Sequence, residues 1–595
     1  MAKKKQNFTS MFRLAPEIWK YQAFTKIILL LVVSVVRFAA MALLHSTGRV
    51  AISSGDYRFL FNTWQGPLLI LLFLAVFFFY VSFDLNVKIL YSGNVMDGVT
   101  EPVRFTVRRA VAALPKFLNI HGLGVVLYVT LLAPILGIGL NVSLTEGLKI
   151  PNFISSVIET TPLYHTIYAV LTLLFTIIGI AHIFCLHGVL LDGLSIRESR
   201  RRSKALMRRH WKNYLKENIK YTLLIAALSV LAFLLFLLLP LLAAGYLLPH
   251  VSAYLPFVAS DRTVARFLTI LILLFCAVLF GAFSLLASPY YMIHLTKLYR
   301  EYIADAPVSV PDRVTGKYPF LVLRAMATIL ALVLLAVVMT QNFDTFFPLH
   351  TVTQVIAHRG GGNEGTENTV SGLKRAVSLG AYGSEIDIQR TADGYYIVNH
   401  DTNFQRVAGN RRTPAQMALE EIKRLRIQGS SDPVATLEEM LEVARGQILL
   451  FVELKGASAD RQMCDDAVKI IKEMAMENQA VLISLKYDLI EYIEQAYPEI
   501  QTGYLTFLSY GDTVRLSCDY LGLEEESATS SAIEAVHAQG KKLLVWTPNT
   551  EESQKHFLAS QADAIITDNI VQANEIIVAL NQRNDFDRIV SALLP

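Results

Sequence analysis

The sequence is poor in charged residues and in cysteine. Only 17% of its 595 residues are charged and 53% are hydrophobic, a balance that is unusual for a water-soluble protein. Four cysteines are too few for a disulfide framework in a chain of this length, so we expect four free thiols. We also expect no cleavable signal peptide, because no small-residue cleavage site closes the first apolar run. The chain is too long for one ordinary domain.

Acidic residues are scarce in the first part of the chain. Residues 1–349 hold 15 Asp and Glu against 32 Lys and Arg, whereas residues 350–595 hold 35 acidic and 22 basic residues. A basic membrane-associated half favours contact with anionic lipid headgroups. An acidic second half argues against nucleic-acid binding and for a cation site. We therefore predict two domains, residues 1–349 and residues 350–595.

Long apolar runs are confined to the first of these domains. A helix needs about 20 apolar residues to cross the hydrocarbon core of a bilayer. Seven runs meet this requirement and predict an all-α polytopic membrane domain of about seven transmembrane helices. These runs are residues 24–45, 67–90, 118–142, 163–191, 221–248, 266–293 and 319–341.

Basic residues are distributed unevenly between the loops that connect these runs. The N-terminus and the even-numbered loops are rich in Lys and Arg, and the segment from Arg197 to Lys220 is the most basic. By the positive-inside rule, these segments are cytoplasmic. Seven crossings then predict that the second domain is extracellular, on a multi-pass protein of the cell membrane. A helix count that is wrong by one would reverse this prediction.

Short β-rich runs alternate with helical stretches in residues 350–595. Eight such strands with helices between them are typical of an α/β (β/α)8 barrel, or TIM barrel. The predicted strands are residues 355–357, 384–388, 448–454, 480–485, 502–505, 520–523, 542–546 and 562–566. The predicted helices include residues 367–379, 436–444, 460–477, 529–539 and 551–560.

Acidic residues fall on the predicted strands toward the end at which such barrels carry their active sites. Glu385 and Asp387 are two residues apart, so their side chains point to the same face, and Glu453 ends the next strand. Carboxylates in a barrel lumen are costly unless they are paired or bind a metal ion. Oxygen donors without Cys or His suit Ca²⁺ or Mg²⁺ rather than zinc. The alternative is that one or two of these acids pair with Arg359 or Lys455.

Basic groups and two histidines complete this predicted rim. Arg359 and Lys455, together with a metal ion, would form a positive pocket that suits a phosphoryl oxygen. His358 and His400 are candidates for a general base and a general acid on opposite sides of the phosphorus, as cleavage of a phosphodiester requires. The alternative for each histidine is a structural role.

Eight short motifs follow one another in this half of the chain. They are His358-Arg359-Gly360, Glu367-Asn368-Thr369, Glu385-Ile386-Asp387, His400-Asp401, Thr436-Leu437-Glu438-Glu439, Glu453-Leu454-Lys455, Val545-Trp546-Thr547 with Asn549, and Ile565-Ile566-Thr567-Asp568. In this order they resemble the glycerophosphodiester phosphodiesterase family over nearly all of residues 352–570. Thr366 and Ala435 stand where that family usually has proline. Both lie in predicted turns, so the difference affects local rigidity rather than chemistry.

The resemblance implies hydrolysis of a glycerophosphodiester to sn-glycerol 3-phosphate and an alcohol, by in-line attack of the neighbouring glycerol hydroxyl through a cyclic phosphate. Seven residues match functional positions of the family: Glu385, Asp387 and Glu453 as metal ligands, His358 and His400 as the acid/base pair, and Arg359 and Lys455 as phosphate-binding residues. Trp546 has two interpretations, contact with the glycerol moiety or packing of the barrel. Ca²⁺ is expected in preference to Mg²⁺, because an extracellular site meets abundant calcium and a weak site suffices there.

The first half of the chain resembles the membrane domain attached to some bacterial members of this family, which implies a Gram-positive-type envelope. The expected partners are therefore membrane lipids and a glycerophosphodiester such as a lysophospholipid or a teichoic-acid-like glycerophosphate polymer. One alternative is a transporter or lipid-handling membrane protein whose barrel binds or trims its cargo. Another is a binding module without catalytic activity. The sequence predicts no oligomeric state.

Overall fold

The computed structural model of the chain describes residues 14–53, 59–119, 161–238, 262–308, 321–349, 352–507 and 509–593, together with residues 122, 124 and 158. Two compact units are present within these residues. One unit is helical and extends along the chain to Phe346. The other comprises residues 347–595 together with residues 41–67.

The first unit is built from long helices. They are α1 (Ala15–His45), α2 (Gln65–Met96), α3 (Val103–Ala113), α4 (Pro162–His182), α5 (Cys185–Leu191), α6 (Ile196–Phe233), α7 (Arg262–Ala304) and α8 (Leu321–Gln341). Shorter helical turns of this unit lie at Leu114–Phe117, Leu234–Leu238 and Phe343–Phe346, and another turn, Phe59–Asn62, belongs to the other unit.

Five stretches in the described residues are long and apolar enough to cross a membrane. They are Ala15–His45, Gln65–Met96, Pro162–Leu191, Arg262–Ala304 and Leu323–Gln341. The prediction of a helical membrane domain with several apolar helices is thereby confirmed. The predicted third span lies almost wholly outside the described residues, and the predicted fifth is described only as far as Leu238.

Charged and polar groups are also buried inside this helical unit. Asp84 and Lys88, one turn apart on α2, form an ion pair of 2.8 Å, and Lys88 donates a hydrogen bond to Ser288 of α7. Because an isolated charge inside a membrane protein is expensive, the two charges stabilise each other. The pair therefore joins α2 to α7.

The second unit contains a closed barrel of eight parallel strands. These are β2 (Gln354–Ala357), β3 (Gly383–Arg390), β5 (Leu449–Leu454), β6 (Ala480–Ser484), β7 (Thr502–Thr506), β9 (Tyr520–Glu524), β10 (Lys542–Trp546) and β11 (Ala564–Thr567). The sheet closes because β2 pairs with both β11 and β3. Strand β4 (Tyr396–Val398) adds antiparallel to β3. The predicted (β/α)8 barrel is therefore confirmed.

Helices follow the barrel strands, as that fold requires. They are α9 (Val370–Ser378), α10 (Leu437–Ala444), α11 (Arg461–Glu473), α12 (Tyr487–Ala496), α13 (Ser530–His537), α14 (Glu551–Leu558), α15 (Ile570–Asn581) and α16 (Asp585–Leu593). Shorter helical turns lie at Gly362–Glu364, Gln405–Ala408, Pro414–Gln416, Leu419–Lys423, Thr513–Arg515 and Glu525–Ser527. Side-chain oxygens cap several of these helices, among them Thr436, whose hydroxyl accepts a hydrogen bond from the backbone N–H of Glu439 at the start of α10.

Alternate residues of each strand face the lumen, and apolar side chains fill most of it. The inner core consists of Ile356, Phe451, Val481, Ile483, Leu505, Tyr520, Leu544, Ala564 and Ile566. Glu453 follows Phe451 by two residues, so it points the same way one layer nearer the C-terminal end of the strands. The polar layer therefore lies at the C-terminal rim, on a floor of apolar side chains.

A second, two-stranded sheet in this unit joins distant parts of the chain. Strand β1 (Ala51–Ser53) lies between α1 and α2, and it pairs antiparallel with β8 (Ser509–Gly511), which follows the fifth barrel strand β7. The backbone N–H of Asp512 also donates a hydrogen bond of 2.9 Å to the carbonyl of Val50. A segment that the sequence assigns to the membrane domain thus contributes a strand to the barrel unit.

Candidate active site

Three carboxylates converge at the C-terminal rim on neighbouring strands. The register of β3 and β5 sets Asp387 opposite Glu453, and Glu385 lies two residues earlier on β3. All three side chains are buried, and one oxygen of each lies within 4.8 Å of the others. The structure therefore brings together the three acids that the sequence predicts as metal ligands.

The side chain of Lys455 offsets only part of this negative charge. Its Nζ atom lies 2.8 Å from Asp387 Oδ1 and 2.9 Å from Glu453 Oε2. Burial opposes ionisation of Asp387, but the charges of Lys455, His400 and Arg359 together outweigh burial and hold the pKa of that carboxyl below its usual range. Burial and the charge of Asp387 raise the pKa of Glu385 to about 8. Without a further cation, the three carboxyls are thus not all ionised at neutral pH.

Glu385 has an oxygen directed at no protein donor. Its Oε2 atom accepts a hydrogen bond of 2.9 Å from the backbone N–H of Arg359. Its Oε1 atom is buried and has no hydrogen-bond partner among the residues that the structure describes. A buried anionic oxygen of this kind is costly unless a cation binds it. The donor set, all oxygen and drawn from three carboxylates, fits a hard divalent cation such as Ca²⁺ or Mg²⁺.

The first candidate histidine, His358, lies directly after strand β2. Because β2 pairs with β11, His358 lies beside Asp568, and its Nδ1 atom is 2.8 Å from Asp568 Oδ1. Its Nε2 atom lies 4.0 Å from Glu385. Burial alone would lower the pKa of His358, but the hydrogen bond with Asp568 and the charge of Glu385 outweigh burial and raise it. His358 is thus favoured in its protonated form.

Asp568 is itself held by Asn549. The side-chain amide of Asn549 donates a hydrogen bond of 2.6 Å to Asp568 Oδ2, and its Oδ1 atom accepts one of 2.8 Å from the backbone N–H of Asp568. Both carboxylate oxygens of Asp568 therefore act as acceptors. This arrangement fixes the carboxylate that orients His358.

The second candidate histidine, His400, has its own carboxylate partner. Its Nδ1 atom lies 2.9 Å from Asp401 Oδ1. Arg406 binds Asp401 through its Nε atom at 2.8 Å and binds both oxygens of Glu367 at 2.6 Å. Burial lowers the pKa of His400, and the opposing effects of Asp387 and Asp401 do not reverse this. The neutral form of His400 is thus favoured, and the pKa values of the two histidines are shifted in opposite directions.

The backbone around Arg359 is adapted to the rim. Arg359 and Asn368 have positive φ angles of 49° and 55°, which residues other than glycine rarely adopt. Asn368 uses its side-chain amide to donate a hydrogen bond of 2.9 Å to Asp387. The guanidinium of Arg359 lies 3.7 Å from Glu367, and its buried Nε–H lacks a hydrogen-bond partner within the described part of the chain. A buried cationic donor of this kind is suited to an anionic oxygen.

Trp546 ends strand β10, away from the carboxylates. It packs against the apolar inner core and lies opposite Glu524, the buried last residue of β9. Glu524 Oε2 accepts a hydrogen bond of 2.9 Å from the backbone N–H of Glu526. The packing interpretation of Trp546 agrees with these contacts, and contact with glycerol stays a prediction.

The sequence identifies the histidines as candidates but not the residues that orient them. These residues are Asp568 with Asn549, Asp401 with Arg406 and Glu367, and Asn368 beside Asp387. Several belong to the quoted motifs, so the signal is present in the sequence. The pairing of His358 with Asp568 needs a further step, because it depends on the contact between the first and the last strand of a closed barrel.

A (β/α)8 barrel with a carboxylate cluster, two basic side chains and two His–Asp pairs at its C-terminal rim has the parts of a hydrolase that acts on phosphoric diesters. Comparison with known families agrees. Residues 358–572 match the glycerophosphoryl diester phosphodiesterase family, and residues 4–340 match the family described as the membrane domain of glycerophosphoryl diester phosphodiesterase. Because the second match covers more than half of the chain, the chain belongs to the glycerophosphoryl diester phosphodiesterases with this membrane domain. It is an enzyme of that class, as the resemblance predicts.

Individual relatives are similar over the barrel. A glycerophosphodiester phosphodiesterase of Caldanaerobacter subterraneus is 28% identical over 228 residues, which cover 36% of this chain and 94% of the relative. The human glycerophosphodiester phosphodiesterase 1 is 23% identical over 264 residues, which cover 36% of this chain and 78% of the relative. A solved phosphodiesterase of Oleispira antarctica, in complex with the product sn-glycerol-3-phosphate, is 24% identical with a TM-score of 0.36, and the likeness covers 39% of this chain and 98% of the other.

Proposed function

We propose that this protein is a metal-dependent glycerophosphodiester phosphodiesterase that acts at the outer face of a cell membrane. Residues 350–595 form its catalytic domain and residues 1–349 its membrane domain. It hydrolyses a glycerophosphodiester to sn-glycerol 3-phosphate and an alcohol. The observation that carries the proposal is the convergence of three buried carboxylates with two histidines of opposite protonation preference at one rim.

Glu385, Asp387 and Glu453 would hold the metal ion, because each offers a buried oxygen to the same point. When bound, the ion offsets negative charge on the phosphoryl oxygens. Ca²⁺ is the preferred ion if the site faces the cell exterior, where a weak site is filled. Arg359 and Lys455 bind the phosphate, the first through its buried Nε–H and the second as a point charge beside the carboxylates.

His400 is the general base, since burial favours its neutral form. It takes the proton of the glycerol hydroxyl next to the phosphoryl ester as that oxygen attacks phosphorus. The bond from phosphorus to the leaving alcohol breaks, and His358 donates its proton to the departing oxygen. A cyclic phosphate results, and attack of water on it, with the histidine roles reversed, gives glycerol 3-phosphate.

Two observations support an extracellular catalytic domain. The even-numbered loops are rich in basic residues, which favours a cytoplasmic N-terminus and an external first loop. Strand β1 of that first loop pairs with β8 of the barrel unit, which supports the same side of the membrane for the loop and the barrel. If the first loop and the barrel lie on the same side, the number of membrane spans before the barrel is odd, which agrees with the predicted seven.

The test uses the purified full-length protein and glycerophosphoethanolamine. We expect release of glycerol 3-phosphate that a chelator abolishes and added Ca²⁺ restores. Glu385→Gln and His358→Ala should each lose activity, whereas Glu420→Gln, on an exposed side chain far from the cluster in the sequence, should keep it. Undiminished activity in the chelator would contradict metal dependence. Inactive wild-type protein in the presence of Ca²⁺ and Mg²⁺ would contradict the proposed reaction for this substrate.

A further inference from the structure

Strand β1 attaches the first inter-helix segment to the loop that follows the fifth barrel strand. That loop lies at the C-terminal end of β7, which is the end of the barrel that carries the active-site rim. Gly511 of β8 makes a close approach to β1. A Cβ atom at Gly511 would lie 2.6 Å from the carbonyl oxygen of Val50 and 2.8 Å from Ala51 Cα. The two strands can pair in this way only because residue 511 is glycine.

The segment that carries β1 is packed against the core of the barrel unit. Ala51 is buried in the core between the barrel and its helices, together with Leu516 and Cys518 of the same loop region. Burial of these side chains stabilises the pairing, in addition to the backbone hydrogen bonds. The position of the loop after β7 therefore depends on a segment more than 450 residues earlier in the chain.

The same loop follows β7, which lies two strands along the barrel from β5. Phe507 directly follows β7, and its carbonyl accepts a hydrogen bond of 3.3 Å from the hydroxyl of Ser527. Ser527 closes the helical turn after Glu524, whose strand neighbours Trp546. A shift of β8 would thus move the side of the rim formed by the ends of β7, β9 and β10. The candidate metal ligands lie on β3 and β5, and the two histidines follow β2 and β4.

The segment also carries large exposed aromatic side chains. Phe61 and Trp64 are 73% and 69% exposed, and Trp64 directly precedes α2, which is apolar and long enough to cross a membrane. Aromatic residues at the end of such a helix favour the interface between lipid and water. Tyr510, opposite Ile52 in the two-stranded sheet, is also exposed. Trp64 thus follows the last residue of β1 by eleven positions in the chain.

We propose that the sheet of β1 and β8 is a specificity element, which positions this side of the rim for membrane-borne diesters of the lysophospholipid class in preference to soluble diesters. The inference rests on the proposed phosphodiesterase activity. Residues 41–67 are then part of the catalytic unit, and Gly511 is a positioning residue. None of the groups that act on the phosphorus belongs to β1 or β8, so the sheet does not affect the chemistry at the phosphorus.

The first experiment tests the sheet without reference to activity. Ile52→Cys combined with Tyr510→Cys places two thiols at facing positions of an antiparallel ladder, where the Cα atoms are about 4.5 to 5.5 Å apart and within disulfide range. In full-length protein in nanodiscs, mild oxidation should give a disulfide-linked peptide detected by mass spectrometry. Ile52→Cys with Lys469→Cys on α11 is the control and should give none. Failure of the first pair to link would overturn the proposal.

The second experiment compares two diesters that differ only in an acyl chain, lysophosphatidylethanolamine in nanodiscs and glycerophosphoethanolamine in solution. Gly511→Ala should lower kcat/KM for the lipid at least tenfold and leave that for the soluble diester within about twofold. Gly540→Ala is the matched control, since Gly540 also has a positive φ angle but no atom lies within 4 Å of the position that a Cβ atom would take there, and it should change neither value. An unchanged ratio in Gly511→Ala, or wild-type turnover of the soluble diester alone, would overturn the inference. Turnover of neither diester would refute the proposed function and the inference with it, whatever the disulfide result.

Discussion

Asp568→Asn tests the division of labour between the two histidines. Asp568 accepts hydrogen bonds from His358 on one oxygen and from Asn549 on the other. Asparagine has only one acceptor oxygen, and the amide of Asn549 is kept in place because its own Oδ1 accepts from the backbone of residue 568. The new amide nitrogen would therefore turn toward His358. The Nδ1 atom of His358 would then have to accept a hydrogen bond from this amide, which stabilises the neutral imidazole.

The expected consequence is loss of the general acid. General acid–base catalysis contributes about 10²- to 10⁴-fold, so kcat/KM should fall by about a hundredfold or more. The alkaline limb of the pH profile should also move to lower pH. Asp568 raises the pKa of His358, the protonated form is the active one, and without the carboxylate that form is lost at lower pH.

The assay is kcat/KM for glycerophosphoethanolamine from pH 5 to pH 10. Asp563→Asn is the matched control, because it removes another His–Asp pair of the same length, 2.8 Å, between His537 and Asp563 outside the rim. That variant should keep the wild-type profile. An Asp568→Asn enzyme whose activity falls with no displacement of the alkaline limb would refute the assignment of His358 as the acid, even if the activity loss were large.

Three further outcomes follow from the same geometry. Glu453→Gln should weaken Ca²⁺ binding at least tenfold by calorimetry, because it removes one of three converging carboxylates, and an unchanged affinity would exclude Glu453 as a ligand. Ca²⁺ binding to the wild-type protein should weaken about tenfold per pH unit below pH 8, because Glu385, whose pKa is about 8 without metal, must first lose a proton. Calorimetry in buffers of different ionisation enthalpy would detect the released proton. Binding without proton release would contradict this linkage. Asp401→Asn should move the acidic limb of the pH profile to lower pH, because Asp401 raises the pKa of His400 and the neutral form is the base; a limb that stays in place would assign it to another group.

Much of the barrel could be predicted from local pattern alone. Each barrel strand is a short β-rich run bounded by turns, and its predicted limits differ from the observed ones by at most two residues. The same-face argument for Glu385 and Asp387 needs only the two-residue period of a strand, and the observed register adds Glu453 beside them. These features depend on neighbouring residues or on neighbouring strands, which is why the sequence carries them.

Contacts between distant parts of the chain could not be predicted in the same way. Nothing in the three residues Ala51–Ser53 distinguishes them from other short loop segments, and their partner Ser509–Gly511 carries no strong β signal either. The partner of His358 could not be predicted from the sequence for a related reason. Asp568 is 210 residues away and becomes its neighbour only when the eighth strand closes on the first.

The sequence also allows a purely structural role for the three acids. That alternative requires them to pair with Arg359 or Lys455. Lys455 does pair with Asp387 and Glu453, so the alternative accounts for two of the three. The guanidinium of Arg359 lies instead beside Glu367.

Glu385 is the residue that this alternative leaves unexplained. Its backbone partner satisfies one oxygen, while the other is buried without a donor in the described residues, and its pKa is raised to about 8. A barrel selected for stability alone would gain from an uncharged side chain at this position, because an unsatisfied buried polar group costs about 1–3 kcal/mol. Two acids beside a lysine form a stable triad, and the third carboxylate adds cost without a protein partner. The cluster therefore fits a divalent cation, which Glu385, Asp387 and Glu453 would hold.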